Sequence, residues 1–171
     1  MRWQERLTVA VDVLLIAACV AALTVLGTRL LGPGFVAPES TVSPVGTRLD
    51  PSVGIDFSAR PQTLIMVLSQ DCQFCVESMP FYERLTNQDR AGTQIIVAAL
   101  PTEPSIGQYL ASRGVIPDAV VFVEPGQLPV LGTPTLLVAN QSGVVTHSWT
   151  GMLRTGVEER VLQVVFPSDP A

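Results

Sequence analysis

Leu64-Ile65-Met66-Val67-Leu68-Ser69-Gln70-Asp71-Cys72-Gln73-Phe74-Cys75 decides the reading of this chain. A continuous aliphatic run enters a pair of cysteines three positions apart, and a helical pattern, Val76 to Leu85, leaves it. A short apolar run bounded by turn signals suits a strand buried on both faces. Strand, Cys-x-x-Cys and helix together put the first sulfur at a helix N-terminus. Unpaired N–H groups and the macrodipole there favour a thiolate. Two cysteines this close cannot staple distant segments, so the pair is catalytic, metal-binding or incidental.

Composition narrows the classes. The 171 residues suffice for one ordinary domain and an appendage. Net charge is −5, and beyond residue 32 there are 7 Arg against 13 Asp and Glu. A nucleic-acid partner needs a basic footprint, so that class is excluded. With 3 cysteines the chain is no disulfide scaffold, and Cys19 lies in an apolar run.

That run spans residues 7–31, interrupted only by Asp12 and Arg29 near its ends. About 20 mostly apolar residues cross a bilayer core. The expectation is an uncleaved transmembrane anchor over residues 1–31, with a cleaved signal peptide as the competing reading. Arg2 and Arg6 place the N-terminus in the cytoplasm and the rest outside. Residues 32–59 carry Pro33, Pro38, Pro44 and Pro51 among Gly32, Gly34, Gly46 and Gly54. They read as a tether of semi-extended chain and an N-terminal extension. Ile55-Asp56-Phe57 reads as a segment at a sheet edge.

The globular domain is expected over 60–167, with 168–171 a tail. Pro80 sits in the middle of the first helical pattern and predicts a kink. Gln94 to Leu100 is a second buried strand, parallel to the first through a right-handed crossover. Thr102-Glu103-Pro104 predicts a helix start, and Arg113-Gly114 its end. Val120 to Val123 is a short apolar segment with strand character. Thr135 to Ala139, the turn Asn140-Gln141-Ser142-Gly143 and Val144 to Trp149 predict an antiparallel hairpin. Val157, Val161, Leu162 and Val165 predict a last helix that Pro167 stops. The order gives an α/β fold: a mixed central sheet with helices on both faces.

These residues resemble the thioredoxin superfamily, and within it the membrane-anchored, extracytoplasmic TlpA/ResA-like redoxins. Cys72-Gln73-Phe74-Cys75 after a strand, Pro80, Gly132-Thr133-Pro134 before the hairpin, and Gly151 with the last helix carry the resemblance. It covers about residues 45–166. It implies a three-layer thioredoxin-like fold, an oxidoreductase acting on protein thiols and disulfides, and a cis peptide at Pro134. The span from Cys75 to Pro134 leaves room for an insertion beyond the minimal fold. Three features depart from the pattern. Asp71 replaces the familiar Trp, Gln73-Phe74 replaces Gly-Pro, and no acid lies on the strand before the motif.

On this reading Cys72 is the nucleophile and Cys75 resolves the mixed disulfide. Phe74, Thr133 and Pro134 meet the substrate, Thr133 through its backbone. Like charge from Asp71 and Glu77 predicts a less acidic Cys72 than in strong oxidants, which favours a reductant. The expected site is extracytoplasmic, on the periplasmic side of the cell membrane. A membrane thiol carrier is the candidate electron source and cytochrome c maturation the narrower role. No cofactor and no metal are expected. Two alternatives stand beside this: a copper assembly factor using Cys72 and Cys75, with or without His147, since soft thiolates suit Cu(I), and an inert binding module. His147 otherwise reads as a solvated strand residue.

Overall fold

The computed structural model describes residues 43–90 and 92–167. The expected anchor, the first part of the tether and the tail 168–171 lie outside the described residues. Among the described residues no helix is long and apolar enough to cross a membrane.

Five strands form one sheet: β1 Gln62–Val67, β2 Thr93–Ala99, β3 Ala119–Phe122, β4 Thr135–Asn140 and β5 Val145–Thr150. Their order is β3-β2-β1-β4-β5. β1 is parallel to β2, and β2 to β3; β4 is antiparallel to both β1 and β5. The aliphatic run therefore becomes the central strand, buried on both faces because both faces are covered. The segment at Val120 is β3, an edge strand added beside β2.

The helices are α1 Gln73–Glu77, α2 Met79–Thr86, α3 Ile106–Ala111 and α4 Thr155–Val165. Where one kinked helix was expected after the cysteines, two form, broken at Ser78. Pro80 has no N–H, so the bond it would give to the carbonyl four residues back is missing. Instead Pro80 occupies the first turn of α2, where no N–H is needed. Ser78 closes α1 by donating its hydroxyl to the Phe74 carbonyl at 2.8 Å. α3 begins at Ile106, later than expected, because residues 100–105 form turns.

The two faces of the sheet are covered differently. Leu64, Met66 and Leu68 pack with Cys75, Tyr82, Leu85, Ile106, Leu110 and Val161, so all four helices contribute to one core. Ile65, Val67, Ile96 and Leu137 point the other way. There Leu49, Val53, Ile55, Phe57, Val123 and Leu128 cover them. In place of the expected layer of helices, this face has irregular chain and one short 3-10 turn, Pro51–Val53. Pro125, Gly126, Pro129 and Gly132 explain it, since a segment so punctuated sustains no helix.

Within the expected tether and N-terminal extension, residues 43–59 pack as part of a compact unit that begins at Ser43. Leu49 N–H donates to the Gly143 carbonyl at 2.8 Å and Gly46 N–H to the Val145 carbonyl at 2.7 Å. Gly143, with φ +73°, turns the hairpin tightly, and a Cβ there would lie 3.1 Å from the Phe57 ring. Ile55 and Phe57 are buried on the sheet face and belong to no strand.

Candidate active site

The chain leaves β1 through a turn, Ser69–Cys72, in which three amides find acceptors. Cys72 N–H donates to the Ser69 carbonyl at 3.4 Å and Asp71 N–H to Ser69 Oγ at 3.2 Å. Gln70 N–H donates to Glu103 Oε2 at 2.7 Å. With these three amides engaged upstream, Cys72 caps α1, and its sulfur accepts the Cys75 N–H at 3.2 Å. This is the N-terminal position where a helix offers unpaired donors.

The sequence-predicted cysteines are brought together as free thiols, Cys72 partly exposed and Cys75 buried. Their ionisation differs accordingly. Burial pushes the Cys72 thiol up. Hydrogen bonds with the Cys75 and Thr133 side chains and the Cys75 and Phe74 amides outweigh it, and the result is below the ordinary thiol value. Burial and the bond with Cys72 push Cys75 up to about 12. One sulfur is therefore disposed to act as thiolate while its neighbour keeps its proton. The largest influence opposing the Cys72 thiolate is burial, rather than the charge expected from Asp71, whose side chain is exposed. Glu77 accepts a hydrogen bond from Gln73 Nε2 at 2.8 Å.

Facing the dithiol is the loop before β4. The Thr133–Pro134 peptide is cis. Thr133 O lies 3.4 Å from Cys72 Sγ and accepts from the protonated thiol. The Pro134 carbonyl accepts from Gly151 N–H at 2.8 Å, and the Gly132 carbonyl from Thr135 Oγ1 at 2.7 Å. Those bonds fix the loop from both sides. Among the described residues the Thr133 N–H has no partner, so a backbone donor stands free beside the sulfur. Pro134 itself is buried. Phe74, between the cysteines, is 53% exposed.

His147 is not part of this constellation. It pairs in register with Val138, four residues along β4 from Pro134, about 13 Å at strand spacing. Its ring stacks on Trp149 at 5.8 Å. Among the described residues no group of three or more His, Cys, Asp or Glu side chains converges as metal ligands would. His147 is therefore not assembled with Cys72 and Cys75 as a third copper ligand.

Sequence reasoning missed two features. Glu103 read as the acid of a helix start; it is buried and reaches the active-site turn. No local signal marks it, because its partner lies 33 positions away. The second is a cleft of about 370 Å³ beside the loop between β3 and β4, lined by Leu68, Leu100, Val123 and Leu131 together with Ser69 and Thr133.

No protein-family model matches the chain, and no curated protein matches it. Solved structures do. A putative thioredoxin from Neisseria meningitidis is 20% identical, with a TM-score of 0.52, over 67% of this chain and 80% of that one. A thiol-disulfide isomerase from Corynebacterium glutamicum is 17% identical, with a TM-score of 0.50, over 66% and 84%. The exposed lipoprotein thioredoxin of Streptococcus pneumoniae is 14% identical, with a TM-score of 0.50, over 64% and 86%.

Proposed function

We propose, from the thioredoxin-like fold that these likenesses establish, that the chain is a thiol–disulfide oxidoreductase acting on protein substrates. The observation that carries this reading is the asymmetric dithiol: Cys72 partly exposed and acidified, Cys75 buried and protonated, on either side of one helix start. The Cys72 thiolate attacks one sulfur of a substrate disulfide and forms a mixed disulfide, releasing the other sulfur as a thiolate. Cys75 then gives up its proton, attacks Cys72, and releases the substrate's second sulfur. The substrate is reduced by two electrons and the pair Cys72–Cys75 is oxidised by two. The free Thr133 N–H, beside Cys72, suits an extended substrate segment. Exposed Phe74 supplies an apolar contact.

The finer reading is a tethered reductant working outside the cytoplasm, in reach of a membrane thiol carrier, with cytochrome c thiols as one substrate class. Its supports are the apolar run 7–31 and the groups around Cys72. The groups favouring the thiolate are amides and side-chain dipoles rather than cations. A reduction potential near thioredoxin's, about −270 mV, fits a reductant, and one near −120 mV contradicts it. The oxidoreductase reading itself is tested by reduction of insulin disulfides with a thiol donor present. Turnover that Cys72→Ser abolishes supports it. Absence of any Cys72-dependent turnover rejects it.

A further inference from the structure

Glu103 is a carboxylate 6% exposed, and among the described residues it takes part in no ion pair. Burying a carboxylate is costly unless it is paired or hydrogen-bonded. The bond it makes is short and charge-assisted: Gln70 N–H to Glu103 Oε2 at 2.7 Å. Gln70 stands two residues before Cys72. The amides of Asp71 and Cys72 donate within the turn itself, to Ser69 Oγ and the Ser69 carbonyl. Glu103 is thus the partner that ties the turn to another part of the fold. Its own backbone is held at both groups. Its N–H donates to the Leu100 carbonyl at 3.0 Å, and its carbonyl accepts from Ile106 N–H at 3.1 Å. The acceptor is therefore seated on the end of β2 and the start of α3.

We infer that Glu103 is a positioning residue for the dithiol. Its carboxylate holds the Ser69–Cys72 turn against the β2–α3 turn and so fixes Cys72 Sγ at the Cys75 amide and the Thr133 loop. The inference rests on the oxidoreductase reading for its purpose, but not for its geometry. Two effects of the carboxylate on the thiolate have opposite signs. As an acceptor it sets the sulfur where donors reach it, which favours the thiolate. As a negative charge it disfavours the thiolate. Two conservative variants separate them. Glu103→Gln keeps an acceptor of the same reach and loses the charge. Glu103→Asp keeps the charge and shortens the reach.

The experiment measures the rate of Cys72 alkylation by iodoacetamide against pH on the full chain, with Cys72→Ser as the blank. Asp71, Cys75, Glu77 and Tyr82, the other titratable groups around the sulfur, are the same in every variant. Glu103→Asp is expected to raise the apparent Cys72 pKa by about one unit, a roughly tenfold loss of thiolate at neutral pH. Glu103→Gln is expected to leave it at or below its starting value. A purely structural role would lower the melting temperature of both variants and leave the pH profile unmoved, and that result overturns the inference. So does a rise in Glu103→Gln as large as in Glu103→Asp, because the acceptor would then not be what matters. Alkylation reports on the sulfur whether or not protein disulfides are turned over. Failure of the oxidoreductase reading is thus a separate result, seen in the insulin assay alone.

Discussion

Replacing Cys75 by alanine isolates what the buried thiol does for its neighbour. The variant removes the side chain whose hydrogen bond does most to favour the Cys72 thiolate. It leaves the residue-75 amide 3.2 Å from Cys72 Sγ. A hydrogen bond to a charged group contributes about 1.5–3 kcal/mol. Thiols are weak donors, and Cys72 is partly open to water, so this bond falls below that range, and the figure for an ordinary hydrogen bond, about 1 kcal/mol, is the one to use. One pKa unit corresponds to about 1.4 kcal/mol, so the Cys72 thiol should rise by about 0.7 unit. At a pH below both values that is about a fivefold fall in thiolate and in alkylation rate. The assay is the iodoacetamide rate across pH, with the thiolate's ultraviolet absorbance as a second readout. An unchanged or lowered Cys72 pKa in Cys75→Ala would refute the reasoning, because the buried thiol would then not be a donor to the first sulfur.

Other consequences concern stability. Cys75 has a folded value of about 12 against an ordinary 9.0. Its neutral form therefore contributes stability that is full below the ordinary value and lost as pH rises through about 12. The melting temperature should fall on the alkaline side, and Cys75→Ala should flatten part of that fall. Leu85→Ala, at a fully buried position of α2, should cost about 2–5 kcal/mol in urea unfolding. Gly143→Ala should cost about 1–3 kcal/mol, since its φ of +73° and the Phe57 ring 3.1 Å from a Cβ both oppose a side chain. A chain starting at residue 60 loses Leu49, Val53, Ile55 and Phe57 from one face of the sheet. It should aggregate or melt well below a chain starting at residue 43, and equal melting of the two would show that this packing adds no stability.

The elements legible in the sequence were those whose burial shows in a local pattern. Leu64 to Leu68 and Gln94 to Leu100 read as strands because both faces of β1 and β2 are covered, so nearly every residue is apolar. Asn140 and Gly143 marked the hairpin through their turn chemistry: Asn140 Oδ1 accepts from the amides of Ser142 and Val144. The two cysteines with Thr133-Pro134 were legible as a set through resemblance, and the fold brings Cys72 to Thr133 O. What stayed hidden depends on contacts without period. Proline and glycine spacing over residues 43–57 signals the absence of helix and strand, not the absence of packing. Leu49, Ile55 and Phe57 are buried in irregular chain, and Val53 in a single 3-10 turn, Pro51–Val53. The segment from Val123 to Thr133 forms no helix for the same local reason, and the cleft beside it follows from that. Glu103 was hidden because a side chain's reach to a backbone amide 33 positions away leaves no mark in either segment.

The central claim is that Cys72 carries the attack and Cys75 the resolution. Its most direct test is to capture the mixed disulfide. Cys75→Ala, incubated with an oxidised protein substrate, should accumulate an adduct that thiol reductants release, and peptide mapping should place it on Cys72. The chain with both cysteines should show little adduct, because Cys75 resolves it. An adduct that forms equally well on Cys72→Ala, or none on Cys75→Ala under conditions where the unaltered chain reduces the substrate, would contradict the account.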